Sequence, residues 1–223
     1  MLFSTLFFDL DATLYSASNG LWDQIRLRIF KYMREEVGLA EDIIPSTRDH
    51  YWKTYGTTLE GLRIHHQVDP DHYLAYVHDL PLDEYLQHDQ DLRDLLVSLP
   101  QDLWVFTNSD NRHANRVLKM LGIADLFTGV VDLLSMDFVI KPNPEAYQIA
   151  LAKAGGVDPV NCVMFDDLLA NLAGAKEIGF TTVLVGNNGT IDHADYHLPT
   201  IHDIKRIMPH LWNVKEVDHI RET

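Results

Sequence analysis

Phe7-Phe8-Asp9-Leu10-Asp11-Ala12-Thr13-Leu14-Tyr15 follows Leu2-Phe3-Ser4-Thr5-Leu6 near the N-terminus. The apolar run predicts a buried strand, and it ends in two aspartates one residue apart. Buried carboxylates are costly unless they are paired or bind a metal. The pair is therefore either a polar turn after a strand or the mouth of a site. The residues that come after the other strands separate these two possibilities.

From about residue 87 onward, short apolar runs alternate with amphipathic stretches. Leu103-Trp104-Val105-Phe106 reads as a strand, residues 111–121 as a helix closed by Gly122, and Val130-Val131 as a weaker strand. Residues 144–154 read as a helix with Pro144 in its first turn and Gly155-Gly156 at its end. Cys162 to Phe165 is a strand, 168–178 a helix stopped by Gly179, 182–185 a strand and 201–208 a last helix. Such alternation implies an α/β fold, a Rossmann-like core whose parallel sheet is covered by helices on both faces. Near-continuous apolar strands fit burial on both sides. Residues 16–86 break this rhythm. Leu21, Ile25, Ile29, Met33 and Val37 recur at near-helical spacing over 21–37, and the segment beyond is rich in Tyr, His and Trp. The expected organisation is a core of residues 1–15 and 87–223, with a helical cap domain of residues 16–86 inserted after the first strand.

Ligands of open parallel sheets bind at the carboxyl ends of the strands. There the chain supplies Asp9, Asp11 and Thr13 after the first strand, then Thr107, Asn108, Ser109 and Asp110 after the second. Lys141 stands between an apolar segment and a Pro-x-Pro turn, and Asp166, Asp167 and Asn171 follow Val163-Met164-Phe165. This set suits phosphoryl transfer. Asp9 and Asp166 can hold Mg²⁺ through hard oxygen ligands. The metal and Lys141 would reduce repulsion between Asp9 and a phosphate dianion. Thr107, Asn108 and nearby backbone N–H groups would bind the phosphoryl oxygens. Asp9 would attack phosphorus. If the chain stays extended, Asp11 points the same way two residues on and serves as acid and base. Crowding by the other carboxylates is expected to raise the proton affinity of one of them, which suits that role. Asp167 either caps the next helix or helps hold a metal-bound water.

The segments Asp9-Leu10-Asp11-Ala12-Thr13, Thr107-Asn108, Lys141-Pro142 and Asp166-Asp167 resemble, in order, the four motifs of the haloacid dehalogenase-like phosphohydrolases. The resemblance runs through nearly the whole chain and places the insertion where that family carries its smaller cap. It implies Mg²⁺, the roles given above, and the backbone carbonyl of Asp11 as a metal ligand beside Asp9 and Asp166. Phe165-Asp166-Asp167 is similar to a common form in which Ser comes next and Asn three positions later; here Leu168 replaces the Ser and Asn171 is retained. Leu14-Tyr15, Ser18-Asn19-Gly20 and residues 55–62 (Tyr-Gly-Thr-Thr-Leu-Glu-Gly-Leu) look most like the pyrimidine 5′-nucleotidase branch. Trp52 and Tyr55, with Tyr51 and the His65-His66 pair, either meet a base or pack cap helices together. Arg63 is a further candidate for substrate contact.

Composition narrows the partners. Eighteen Lys and Arg against 33 Asp and Glu give a formal net charge of −15. That surface repels nucleic-acid backbones and anionic membranes, so a small phosphomonoester is the expected partner. The single cysteine, Cys162, fits a reducing compartment and a packing role. No signal peptide is evident, the Asn188-Gly189-Thr190 sequon reads more simply as a turn, and the cytoplasm is the expected location. The twelve histidines show no zinc-ligand spacing and read as surface residues. Two other readings remain: a phosphatase of sugar phosphates or other small metabolites on the same core, and an inactive scaffold. Loss of Asp9, Lys141 or Asp166 would mark the scaffold, and all three are present.

Overall fold

The computed structural model describes residues 3–186 and 193–213; the Asn188-Gly189-Thr190 segment lies outside the described residues. Six parallel strands form one sheet: β1 (Thr5–Phe8), β2 (Asp102–Phe106), β3 (Gly129–Val131), β4 (Cys162–Asp166), β5 (Thr181–Val185) and β6 (Tyr196–Leu198). Their order is β3-β2-β1-β4-β5-β6. The chain moves outward from β1 to β3, then returns past β1 to begin β4. The crevice at that reversal is where such sheets bind ligands.

The central strands divide their side chains between two cores, as the two-residue period requires. Leu6, Phe8, Val105, Val163 and Phe165 enter the larger one, while Phe7, Phe106, Cys162 and Met164 enter the other. All nine are fully buried or nearly so, each large apolar side chain contributing about 1.5–3 kcal/mol by leaving water. Phe8 lies opposite Phe165 in the ladder, and their rings stack at 4.6 Å. The register thus sets the ends of β1 and β4 level, with Asp9 and Asp166 emerging side by side. Burial pushes the Cys162 thiol up to about 12, which leaves it a packing group.

Residues 16–86, after β1, hold four α-helices: α1 (Leu21–Glu35), α2 (Ile44–Tyr55), α3 (Thr58–His66) and α4 (Pro70–Val77). The apolar stripe read from sequence is the buried face of α1: Leu21, Ile25, Ile29 and Met33. Helices α2 and α3 meet at Gly61, where a Cβ would fall 2.2 Å from Cγ of Tyr51, so no side chain fits there. The remaining helices are α5 (Gln90–Val97), α6 (Asn111–Leu121), α7 (Pro144–Lys153), α8 (Leu169–Ile178) and α9 (Ile204–Ile207). The expected helix over 201–208 is a 3₁₀ turn, Ile201–Asp203, followed by the short α9. Strand β6 escapes sequence reading because Tyr-His-Leu at a sheet edge carries no apolar run. Among the described residues no helix is long and apolar enough to cross a membrane.

Candidate active site

Strand β1 stops at Phe8, and the chain does not stay extended beyond it. Leu14 N–H donates to the Leu10 carbonyl at 3.1 Å, and Ala12 adopts φ 62°. The turn buries Leu10, and although the chain does not stay extended, Asp9 and Asp11 border one cavity with different hydrogen-bond partners. Asp9 accepts from the Lys141 ammonium at 2.8 Å. The same Nζ donates to Asp166 and to the Phe106 carbonyl, both at 2.7 Å. Lys141, only 1 % exposed, therefore ties the ends of β1, β2 and β4 together.

Lysine burial alone would favour the neutral amine. Asp166 and Asp9 outweigh it and hold Lys141 protonated, well above its usual range. Asn108, expected at the phosphate, uses its side chain on this loop. Its Oδ1 accepts from Lys141 N–H and its Nδ2 donates to the Lys141 carbonyl, both at 3.0 Å. Thr107 is 1 % exposed and borders the crevice, its hydroxyl accepting from Ser109 N–H at 3.0 Å. Asn171 donates to both oxygens of Asp166, at 3.0 and 3.1 Å, and so supports that carboxylate. The N-cap of α8 is Leu168, without a side-chain capping bond.

Oxygens of Asp9, Asp166 and Asp167 lie within 4.8 Å of one another. Burial, and then repulsion by Asp166, push the Asp167 carboxyl up to about 7. Burial likewise raises Asp9 well above the ordinary range, more than Lys141 lowers it. Three crowded carboxylates with one buried ammonium are short of positive charge, and hard oxygen donors match a divalent cation such as Mg²⁺. The donor set therefore fits the metal implied by the sequence.

Asp11 lies outside that trio. Its Oδ1 accepts from Tyr15 Oη–H at 2.6 Å and His113 Nε2–H at 2.9 Å, and its Oδ2 from Ser109 Oγ–H at 2.8 Å. Burial would raise its proton affinity, but the charge and hydrogen bonds of His113, with Tyr15 and Ser109, hold it well below the carboxylate range. The raised carboxyls are Asp9 and Asp167. Asp11, read from sequence as the acid–base residue, is not one of them.

A cavity of about 450 Å³ opens above Asp9, Asp11 and Thr107. Helices α1 to α4 supply much of its wall, including Trp22, Ile25, Arg48, Trp52, Tyr73 and Val77. Of the six insertion residues singled out from sequence as base or substrate contacts, Trp52 alone borders it. Tyr55 bonds His65 at 2.7 Å, and Arg63 pairs with Glu60 at 2.7 Å while covering the Phe138 ring at 3.6 Å. Arg48 escapes sequence reading because a lone arginine on a polar helix carries no motif. Its Nε is buried with no acceptor among the described residues.

The Asp167 shift has a testable consequence. Asp167 near 7 when folded, against an ordinary 3.8, binds its proton more tightly in the native chain. It costs nothing below about pH 4, and the cost grows until pH passes 7. In EDTA at pH 8, Asp167→Asn is expected to raise Tm by roughly several degrees, a gap that closes toward pH 4. Mg²⁺ should raise the wild-type Tm more at pH 8 than at pH 5. Equal melting of variant and wild type in EDTA at pH 8 would remove the crowded-carboxylate account.

Residues 3–179 match the haloacid dehalogenase-like hydrolase family. Phosphate metabolism protein 8 of Saccharomyces cerevisiae is 29 % identical over 249 residues, covering 97 % of this chain and 78 % of the yeast protein. CbbY from Rhodobacter sphaeroides, solved in complex with phosphate, superposes with a TM-score of 0.66 at 18 % identity, over 91 % of this chain and 96 % of its own. YfnB from Bacillus subtilis, solved bound to magnesium, gives 0.64 at 15 % identity, over 96 % and 100 %. With a family match over most of its length and the motif residues gathered at one sheet edge, the chain belongs to the haloacid dehalogenase-like hydrolases.

Proposed function

We propose that the chain is a Mg²⁺-dependent phosphomonoesterase that works through an aspartyl-phosphate on Asp9. The observation that carries this is the Lys141 ammonium set between Asp9 and Asp166, beside Asp167 and below an open cavity. Asp9, Asp166 and the Asp11 carbonyl would hold the metal, with Asp167 and Asn171 around them. Bound there, Mg²⁺ would offset the charge of the incoming phosphate. Lys141 and the bound cation together would offset the burial that favours a protonated Asp9 and keep it a carboxylate facing phosphorus. Thr107 and the backbone after β2 receive the phosphoryl oxygens. As the Asp9 oxygen–phosphorus bond forms, the bond to the leaving oxygen breaks; Asp11, a carboxylate in the free protein, takes up a proton from solvent as the negative charge of the phosphate enters and passes it to that oxygen. Water then attacks the aspartyl-phosphate, Asp11 takes a proton from it, and Asp9 and inorganic phosphate are regenerated.

Residues 16–86 act in this scheme as a cap that closes over the substrate and excludes bulk water. The substrate is a nucleoside monophosphate, pyrimidine by preference. Supporting this are the segments in residues 14–62 that resemble that branch and a cavity wall that offers Trp22 and Trp52 as ring surfaces and Arg48 as a donor. The net charge of −15 and single buried cysteine agree with a cytoplasmic enzyme of small anions rather than of nucleic acid or membranes.

Phosphate release with Mg²⁺ across UMP, CMP, AMP, GMP, several sugar phosphates and p-nitrophenyl phosphate tests the reading. UMP and CMP are expected to lead, and EDTA to silence all. Arg48→Met should raise KM for UMP roughly tenfold or more, the loss of a charged hydrogen bond, and leave p-nitrophenyl phosphate little changed. A lead by sugar phosphates would overturn the nucleotide assignment. Silence on every ester would overturn the phosphatase.

A further inference from the structure

Three elements hold Asp11, and they differ in stiffness. Tyr15 and Ser109 offer hydroxyls on turns beside the site. His113 offers a ring nitrogen from within α6 and is 1 % exposed. Asp110, His113 and Arg116 recur at intervals of three and so share one face of α6. Asp110 caps the helix by accepting from His113 N–H at 3.0 Å, and its other oxygen lies 2.7 Å from His78 Nδ1. His78 comes directly after α4. Its ring stacks on His113 at 4.1 Å between centroids, and Arg116 binds the His78 and Leu80 carbonyls at 2.6 Å each. The end of α4 is thus fastened to α6 at the residue through which α6 binds Asp11.

Proton positions follow from the partners. A carboxylate only accepts, and the His78 bond keeps Asp110 ionised, its carboxyl lowered to about 2 against the pull of burial. His78 Nδ1 therefore carries a hydrogen, and by the same argument so does His113 Nε2. His113 Nδ1 is buried with no hydrogen-bond partner among the described residues. The bond to Asp11 is then what offsets burying this ring, a cost that Leu or Phe would not incur.

On the phosphomonoesterase reading above, we infer that His113 is the positioning residue of Asp11, holding its carboxyl for proton transfer to the leaving oxygen, and that His78 locks His113 from the cap side. The cap therefore fixes the acid–base residue as well as enclosing the substrate. Sequence alone points to surface histidines, yet His78 and His113 are 8 % and 1 % exposed.

The test exploits leaving groups. The ratio kcat/KM reports events up to departure of the alcohol, and p-nitrophenolate departs without a proton. His113→Phe keeps the ring volume and removes the donor. It is expected to lower kcat/KM about 10- to 100-fold on UMP, or on whichever alkyl phosphomonoester leads the panel, part of what general acid catalysis supplies. On p-nitrophenyl phosphate the loss should stay within about threefold. His113→Gln places an amide N–H near the same point and should recover most of the alkyl ester activity. If His113→Phe does not fold, the Gln variant still carries the comparison, as a smaller loss with the same leaving-group bias. In the substrate-free wild type, a hydrogen-bonded imidazole N–H resonance should be present and vanish in His113→Gln. Equal losses on both ester classes, no loss on either, or absence of that resonance overturns the positioning role while leaving the phosphatase standing. A wild type that cleaves no ester overturns both.

Discussion

Asp9→Asn is expected to end phosphate release on every ester, by at least about 10⁴-fold, while the protein folds as before or melts higher. The nucleophile must be an anionic oxygen, and an amide oxygen does not form the acyl phosphate. Stability moves the other way because Asp9 contributes unfavourable charge in the metal-free protein. Burial, joined by repulsion from Asp166 and Asp167, raises its proton affinity well above normal despite Lys141. Asparagine keeps the shape and still presents an oxygen to Lys141 Nζ, 2.8 Å away in the wild type. Acid quenching of wild type during turnover should trap a phosphoryl group on the peptide that contains Asp9, and the variant should yield none. If Asp9 were only a metal ligand, high Mg²⁺ would restore the variant and no phosphopeptide would form in either. Residual turnover near the wild-type rate would end the covalent mechanism.

What could be read from sequence depends on where the physics is local. The central strands announce themselves because both faces are buried, so Leu6-Phe7-Phe8 and Val163-Met164-Phe165 are unbroken apolar runs. Asp9, Thr107 and Asp166 emerge as site candidates because topology places whatever ends a parallel strand at one edge. Lys141 needed its setting before a Pro-rich turn, and the structure shows why it stands there: Asn108 grips its backbone from both sides. Asp11 could not be placed from spacing, because the side chains that hold it, Ser109 and His113, come from a distant part of the chain. Nor could the acid–base environment be foreseen. Asp11 and His113 are 102 residues apart, and nothing local to either announces the other. Arg48 and Trp52 show the same divide within residues 16–86, where helical periodicity is legible but the inward face depends on how four helices meet.

Removing the charge of Lys141 should be the most damaging single change to the fold at this site. Lys141→Met nearly preserves volume but leaves Asp9 and Asp166 without their shared ammonium, and strands a hydrogen bond to the Phe106 carbonyl. Breaking one buried pair costs about 3–5 kcal/mol, so Tm should fall by roughly 10 °C or more in EDTA at pH 8. The pH dependence has a definite sign. Without the ammonium Asp9, already raised by burial, binds its proton still more tightly folded than unfolded, so the penalty is greatest at alkaline pH and shrinks as pH falls through its raised value. The gap to wild type should narrow steadily toward pH 5. Mg²⁺ should also restore more stability to this variant than to wild type, since it returns positive charge to the same oxygens. Activity should track neither recovery, staying at least about 10³-fold down, because the group that orders Asp9 toward phosphorus is gone. Lys141→Arg separates charge from shape. A guanidinium keeps the charge but does not fit a side chain that is fully enclosed, so part of the Tm should return and almost none of the turnover. If Lys141→Met melts like wild type across this pH range, the ammonium does not hold the strand ends, and the central feature of the proposed site is wrong.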